Sequence, residues 1–330
     1  MNIGVYCPNW IGDAVMALPF IQQLQDHYPD GKITIVCKDS VASVFQNHPA
    51  ARRIIALPQS NTSGLLSARS TGKSLLSLHL DVFYTLTDSF RSAAILWWSG
   101  AEQRIGYSTQ LRSILLTNAV ELTAKRMHRS LKYLALINPE SNSEKIPQIY
   151  LTNDEVAWAK RELAVLELKQ PIALCPFSVA GSRTIPSSSL KKWLHDSEEN
   201  YILFGSERDT DRALAIINEC NNSSIISVCG KYSLRKSIAL ISLCKYALAA
   251  DSGLGHISAA LDIPSVSFFG AGLSTMTRPL GARTTIVNNN VHCSPCQKNI
   301  CCNEEEPLLC LQQISRSDVE IAVRNLSLNP

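Results

Sequence analysis

Short apolar segments that suit buried β-strands alternate along most of the chain with segments that suit α-helices. In the first half the strand-like runs are Asn2–Cys7, Lys32–Val36, Arg53–Ala56 and Asp81–Leu86. The helical patterns between them are Ala14–Leu24, Val41–Asn47 and Ser89–Trp98. Such alternation implies crossover connections, which build a parallel sheet with helices on both faces. The sequence therefore predicts an α/β fold.

A polar stretch from Asn138 to Lys145 interrupts this rhythm and marks a linker. After it the alternation restarts. Predicted strands are Pro171–Pro176, Tyr201–Phe204, Ile225–Val228, Tyr246–Ala250 and Ser265–Phe269. Predicted helices are Asp154–Leu166, Ser187–His195, Asp209–Glu219, Ser233–Cys244 and Gly253–Leu261. A chain of 330 residues suits two domains, which we predict to be residues 1–150 and 151–330, with the option that the C-terminal helix packs back on the first domain.

Two such domains would face each other across a cleft, with ligands at the carboxyl ends of the strands. The segment Asn61–Ser77 is rich in Ser, Thr and Gly and is predicted to be a surface excursion over the first sheet.

Composition excludes several other classes of protein. Hydrophobic residues make up 45% of the chain and charged residues 18%, which argues against disorder. The net charge of +3 is too small to indicate a nucleic-acid partner. No secretory signal is recognisable, and the longest apolar segment, Ser237–Ala250, contains Lys245 and is shorter than the roughly 18 apolar residues of a spanning helix. We expect a cytoplasmic protein, with peripheral contact with a membrane from that side left open.

Two acidic residues lie where ligands of α/β proteins bind. Asp13 follows Gly12 at the end of the first predicted strand, and Asp251 follows the strand Tyr246–Ala250. An acid in such a position can simply favour the positive end of a helix dipole. It can equally face a ligand at the carboxyl edge of the sheet.

The segment ADSGLGHISAALDIP, Ala250–Pro264, is typical of a phosphate site. Ser252 can cap the helix that follows, and Gly253 lets a ligand approach the backbone closely. Free N–H groups and the helix dipole then favour an anion. His256 lies on the same helix face as Ser252. The alternative is an ordinary capped helix with a packed histidine.

Two further loops carry weaker signals. In CPFSVAGSRTIP, Cys175–Pro186, small residues and Arg183 could bind a diphosphate through N–H donors and charge, unless the loop is merely solvated. FGAGLST, Phe269–Thr275, mimics a dinucleotide fingerprint but lacks the acid expected about 20 positions later. A nicotinamide oxidoreductase is therefore a distant alternative.

Taken together, the motifs resemble glycosyltransferase family 9, the bacterial lipopolysaccharide heptosyltransferases, and most closely the heptosyltransferase II type. The motifs are N-W-I-G-D at 9–13, S-F-R-S at 89–92, R-I-G-Y at 104–107, L-F-G-S at 203–206, D-S-G-x-x-H at 251–256 and C-S-P-C at 293–296. The resemblance implies a GT-B fold of two Rossmann-like domains. It also implies an acceptor, the lipopolysaccharide inner core, bound mainly by residues 1–150, and an ADP-heptose donor bound mainly by residues 151–330.

The resemblance assigns roles to particular residues. Asp13 matches the family's general base, which accepts the acceptor hydroxyl proton as the sugar is transferred with inversion. Arg183 stands where the family has a lysine and would stabilise the departing diphosphate without a metal. The remaining residues implied at the donor are Ser178, Glu207 at a ribose hydroxyl, Asp251, Ser252, Gly253 and His256. Acceptor specificity is expected from Asn61–Ser77 and Tyr107–His128.

Three departures from the family pattern surround the expected donor site. They are Pro176-Phe177-Ser178, Arg183-Thr184-Ile185-Pro186 and the loop Phe269–Gly272. Phe177 in place of a glycine is expected to leave less room for a ligand to approach the backbone. Two alternatives therefore stay open: a relative that uses another nucleotide sugar or acceptor, and an inactive sugar-nucleotide-binding protein.

The chain has 11 cysteines, an odd number that argues against a disulfide framework in a protein without an export signal. Four of the five cysteines in one polar loop, Cys293, Cys296, Cys301 and Cys310, have a spacing that could close a zinc or iron–sulfur site. The alternative, which we favour, is reduced thiols that order the loop, and no cofactor is predicted.

Overall fold

The computed structural model of the chain describes residues 1–58, 64–122, 127–140, 143–220 and 222–328. The chain divides into two compact units, Met1–Tyr150 and Leu151–Pro330. Within the described residues each unit contains a six-stranded parallel sheet. The α/β fold expected from the alternating pattern is therefore confirmed in both halves.

In the first unit the strands are β1 (Asn2–Tyr6), β2 (Lys32–Lys38), β3 (Ala51–Leu57), β4 (Val82–Thr85), β5 (Gln103–Tyr107) and β6 (Asn118–Val120). Their order in the sheet is β3-β2-β1-β4-β5-β6. This is the Rossmann order, in which the strand sequence changes direction between β1 and β4. Ligands of open α/β sheets bind outside the carboxyl ends of the strands at that point.

The helices of the first unit are α1 (Ile11–Met16), α2 (Leu18–His27), α3 (Asp39–Phe45), α4 (Leu65–Ser74), α5 (Phe90–Trp98) and α6 (Arg129–Leu134). The sequence predicted one helix from Ala14, whereas the structure has two, and the first begins at Ile11. Pro19 at the start of α2 has no N–H to donate, which suits the beginning of a new helix. As a result Asp13 lies in the first turn of α1 and not in the turn before it.

The prediction of a surface excursion at Asn61–Ser77 is wrong for the residues that can be described, because Leu65–Ser74 form α4. Ala68, Thr71 and Gly72 form its buried face. A Cβ on Gly72 would lie only 2.4 Å from the Cβ of Trp98, so the glycine allows α4 and α5 to pack closely. Residues 59–63 lie outside the described part of the chain.

In the second unit the strands are β7 (Ile172–Cys175), β8 (Tyr201–Leu203), β9 (Ile225–Ser227), β10 (Ala247–Ala250), β11 (Ser265–Phe269) and β12 (Thr284–Asn288). Their order is β12-β11-β10-β7-β8-β9, which repeats the Rossmann order of the first unit. The change of direction here falls between β7 and β10, which pair in parallel.

The helices of the second unit are α7 (Asn153–Val165), α8 (Ser187–Leu194), α9 (Thr210–Cys220), α10 (Leu234–Ile241), α11 (Gly253–Ala260), α12 (Ser274–Thr277), α13 (Leu309–Gln312) and α14 (Arg316–Leu328). Val319, Ala322 and Leu326 of α14 are buried in the core of the second unit together with Trp193. The C-terminal helix thus completes the core of its own unit, whereas the sequence had left open that it packs on the first.

Candidate active site

A pocket of about 190 Å³ lies in the first unit at the point where the strand order changes direction. Its walls come from the loop after β1, the first turn of α1, the loop after β4 and the helix α6. The lining residues are Pro8, Asn9, Trp10, Asp13, Leu86, Thr87, Asp88, Arg129, Lys132 and Tyr133. Because β1 and β4 are hydrogen-bonded neighbours, their carboxyl ends bring the two loops together.

Asp13 lies on the wall of this pocket beside a guanidinium group. Arg129 Nε is 3.5 Å from Asp13 Oδ1, and the Asp13 side chain is 18% exposed. Burial acts to lower the pKa of Arg129, but the Asp13 carboxylate and Tyr133 outweigh it, so that this pKa is raised. A neighbouring cation favours the ionised form of a carboxylic acid, which is the form that can accept a proton. The surroundings of Asp13 therefore suit a general base.

A second carboxylate, Asp88, faces the same pocket from the loop after β4. Lys132 Nζ lies 2.5 Å from Asp88 Oδ2, and Arg112 Nη2 lies 3.7 Å from Asp88 Oδ1. Arg112 is fully buried, and burial lowers its pKa while Asp88 acts in the opposite direction. Its guanidinium donates to the carbonyl oxygens of Tyr107, Thr87 and Ser89. The buried arginine thus ties the loop after β4, which lines the pocket, to the end of β5.

In the second unit the corresponding position is occupied by an ion pair. Arg183 follows β7 and Asp251 follows β10, and Arg183 Nε lies 3.4 Å from Asp251 Oδ2. Asp251 is only 5% exposed. Burial raises the pKa of its carboxyl group to about 6, and Arg183 acts against that rise. The structure therefore brings together two residues that the sequence placed at the donor.

Ser178, Ser252, Gly253 and His256 lie around this pair. The hydroxyl of Ser178 donates to the backbone oxygen of Asp251 at 3.2 Å. Ser252 precedes α11 as predicted, but its side chain makes no capping hydrogen bond. Its Oγ is buried and has no hydrogen-bond partner among the described atoms, although buried hydroxyls usually have one. Gly253 is the first residue of α11, and His256 is buried one turn further on.

The predicted use of N–H groups from the loop Cys175–Pro186 does not extend to residues 182–185, and for the rest of the loop it stays a prediction. The backbone N–H groups of Ser182, Arg183, Thr184 and Ile185 donate to the carbonyl oxygens of Asn299, Ala180, Gly181 and Pro176. These four donors are already engaged within the protein, so beside them the guanidinium of Arg183 and the first turn of α11 are groups that can meet an anion.

Glu207 lies on an exposed turn after β8. The turn is closed by hydrogen bonds between Ser206 and Asp209. Gly230, with φ of +69°, passes close to the Glu207 backbone, where a Cβ would approach to 2.9 Å. The carboxylate of Glu207 is thus at the carboxyl edge of the sheet, and its role at a ribose hydroxyl stays a prediction.

Phe177 does not narrow the approach to the backbone as the sequence suggested. Its side chain is buried in the core of the second unit and packs against Gly205. The guanidinium of Arg212 lies 5.0 Å from the centre of its ring. The phenyl ring therefore fills space in the core that a glycine would leave empty.

The cysteines are all free thiols. In the described part of the chain, no group of three or more His, Cys, Asp or Glu side chains is arranged to hold a metal ion. The residues considered for such a site, Cys293, Cys296, Cys301 and Cys310, are therefore described below as thiols. Cys310 is buried against Gly270, and burial together with the neighbouring Cys293, Cys301 and Cys296 raises its pKa.

Sequence reasoning missed Asp88, Arg112, Arg129 and Lys132. Arg129 and Lys132 are three residues apart on α6, which places them on one helix face. That spacing was a usable signal, but nothing in the sequence indicates that α6 lies beside the loop after β1. Residues 123–126, within the segment Tyr107–His128 expected to govern acceptor specificity, lie outside the described residues.

None of the helices described is long and apolar enough to cross a membrane.

Comparison with known proteins identifies the family of the chain. The sequence matches the family model of Glycosyltransferase family 9 (heptosyltransferase) over residues 68–306. It is 25% identical over 305 residues to lipopolysaccharide heptosyltransferase 2 of Escherichia coli strain K12, an alignment that covers 87% of this chain and 88% of that protein. It is 28% identical over 310 residues to lipooligosaccharide heptosyltransferase 2 of Haemophilus ducreyi, with the same coverage.

The fold also matches a solved structure, that of E. coli ADP-heptose LPS heptosyltransferase II. The TM-score is 0.83 at 23% identity, with 99% of each chain covered. The family match spans well over half of the chain and contains Arg183 and the segment from Asp251 to His256. The chain therefore belongs to glycosyltransferase family 9, the heptosyltransferase family, and is a glycosyltransferase.

Proposed function

We propose that this enzyme transfers a heptose from ADP-heptose to the inner core of lipopolysaccharide, with inversion at the anomeric carbon. The observation that carries the proposal is the position of Asp13, paired with Arg129 in a pocket where the first sheet changes direction. The names of the relatives support the choice of sugar and acceptor. We place the reaction in the cytoplasm, with peripheral contact at the inner membrane, because this acceptor is attached to a lipid.

In this mechanism the carboxylate of Asp13 accepts the proton of an acceptor hydroxyl as its oxygen forms the new bond to the anomeric carbon. The bond between that carbon and the diphosphate breaks on the opposite face, so that configuration inverts through an oxocarbenium-like state. The electron pair of the broken bond goes to ADP. Arg183 and the N-terminus of α11 stabilise the charge that develops on the diphosphate.

The donor assignment is supported by three features of the second unit. Arg183 supplies a cation whose side chain is 30% exposed and therefore accessible. Ser252 supplies a buried hydroxyl without a partner among the described atoms. Asp251 supplies a buried acid next to both. Calorimetric titration of the full chain with ADP and ADP-heptose, alongside UDP and GDP sugars, tests this assignment. Selective binding of the ADP forms is expected, and preference for another nucleotide would contradict the choice of donor.

Replacing Asp13 with asparagine tests the role of the base. We expect turnover to fall by about 10²–10⁴-fold, because general-base catalysis contributes about that much. The dissociation constant of ADP-heptose should stay unchanged, because the acid is assigned to the acceptor. Turnover is measured from ADP release with the lipid acceptor, and donor affinity by calorimetry.

Asp39→Asn is the matched control. Asp39 lies in the first turn of α3, directly after β2, as Asp13 lies in the first turn of α1 after β1. Both acids can favour their helix dipoles equally. If the two variants lose the same small amount of activity, Asp13 acts only at the helix terminus and the proposed mechanism is wrong.

A further inference from the structure

The polar loop of residues 293–302, here called the cysteine loop, is hydrogen-bonded to the segment that carries Arg183. The N–H of Ser182 donates to the carbonyl oxygen of Asn299 at 3.1 Å, and its hydroxyl donates to that of Lys298 at 2.5 Å. Ser182 is 2% exposed. The buried residue next to Arg183 is thus held by two hydrogen bonds to a loop more than a hundred residues away in sequence.

The same loop is hydrogen-bonded to the segment that covers Asp251. The hydroxyl of Ser294 donates to the carbonyl oxygen of Gly270 at 2.6 Å, and the N–H of Gln297 donates to that of Ala271 at 2.7 Å. Gly272, the next residue, packs directly on the carboxylate: a Cβ there would lie 1.9 Å from Asp251 Oδ2. The cysteine loop therefore supports both members of the Arg183–Asp251 ion pair.

Thiol groups hold this loop in turn. The N–H of Leu308 donates to Cys301 Sγ at 3.3 Å, and Asn303 Nδ2 donates to Cys293 Sγ at 3.9 Å. Through these contacts the reduced cysteines accept hydrogen bonds that stabilise the loop. They link the loop to residues 303–308, the segment that leads into α13 and to Cys310 in the core of the second unit.

Fixing an arginine before its ligand arrives improves binding, because less side-chain and backbone entropy is lost when the complex forms. From these contacts we infer that the cysteine loop supports the nucleotide site from behind and holds Arg183 in position to bind a nucleoside diphosphate. Ser182 is the positioning residue through which the loop acts. This inference rests on the proposed function, since it assigns the diphosphate to Arg183.

The test compares Ser182→Ala with Ser189→Ala in the full chain. Ser189 is also fully buried in the second unit, and its hydroxyl donates to the carbonyl oxygen of Leu311 at 3.3 Å. Each variant therefore loses one long-range hydrogen bond from a buried serine. We expect similar drops in melting temperature, but only Ser182→Ala should weaken ADP binding, by about threefold to tenfold. Affinity is measured by calorimetry well below both melting temperatures.

A double-mutant cycle with Arg183→Ala separates positioning from a general loss of stability. If Ser182 acts through Arg183, Ser182→Ala has no further effect on ADP affinity once Arg183 is replaced. An equal loss of affinity in both backgrounds, or equal affinities for the two serine variants, overturns the inference. The proposed function fails separately, when the unmodified chain does not bind ADP at all.

Discussion

Replacing Asp251 with asparagine should stabilise the protein at neutral pH, because the native fold holds this acid in surroundings that disfavour its charge. Burial raises its pKa from 3.8 to about 6. Since one pKa unit corresponds to about 1.36 kcal/mol, the charged form costs the native state up to about 3 kcal/mol. Asparagine is neutral and of similar size, so it avoids this cost. The pKa of about 6 already includes the attraction of Arg183, which asparagine loses, so we expect a net gain of about 1–3 kcal/mol.

The sign of the pH dependence follows from the same numbers. Below pH 3.8 Asp251 is protonated in both the folded and the unfolded chain and has no differential effect. Between pH 3.8 and about 6 the unfolded chain loses this proton first, so the free energy of unfolding falls as the pH rises. Above pH 6 Asp251 is ionised in both states, and the free energy of unfolding no longer changes because of this group. The stability difference between Asp251→Asn and the unmodified protein should therefore grow through this window and then level off.

Urea unfolding of the full chain at pH 4, 5, 6 and 7.5 measures this difference. Asp318→Asn is a control of opposite sign, because hydrogen bonds from the backbone N–H and hydroxyl of Ser315 lower the pKa of Asp318. That variant should lose stability at pH 7.5 and approach the unmodified protein in acid. If Asp251→Asn is no more stable than the unmodified protein at pH 7.5, Arg183 compensates the buried charge and our reasoning is refuted. The same substitution should weaken the binding of ADP-heptose, because we assign the Asp251 carboxylate to the donor and a binding residue can be kept at a cost in stability.

Two further substitutions test the packing of the sites. Gly272→Ala should displace the carboxylate of Asp251, which should lower the free energy of unfolding by about 1–3 kcal/mol in thermal unfolding and weaken the binding of ADP-heptose. Gly181→Ala is the control, because the nearest atom to a Cβ there is 4.0 Å away, and it should change neither stability nor binding. Arg112→Lys should destabilise the first unit by about 2–4 kcal/mol in urea, because lysine cannot replace donors to three backbone carbonyls. Arg104→Lys replaces a less buried arginine and should lower the free energy of unfolding by clearly less. Equal losses for the two variants would contradict the structural role given to Arg112.

Most of the secondary structure could be predicted because parallel strands are buried on both faces and appear as short apolar runs. β4 and β10, for example, are buried at every position. Prediction failed at α4, where small polar residues looked like a loop. Those residues form a helix whose buried face includes Gly72, which allows a close approach to Trp98, and no local pattern reveals such a contact.

The candidate site was predictable in part, through residues in the loops and first helical turns that follow strands. Asp13, Arg183 and Asp251 were found because the carboxyl ends of parallel strands meet at one edge of a sheet. Ser252 was placed correctly, but its hydroxyl does not cap the helix and is buried without a partner among the described atoms. The order of the strands, not their sequence, makes Arg183 and Asp251 neighbours.

The sequence by itself determined the two α/β units and the motifs that resemble glycosyltransferase family 9, because strand and helix periodicities are local properties of the chain. Only the tertiary structure decided the charge environment of those motifs. It placed Arg129 beside Asp13 and the cysteine loop behind Arg183, contacts between residues more than a hundred positions apart. Burial then raised the pKa of Asp251, since the cost of removing a charge from water depends on what surrounds it and not on its neighbours in sequence.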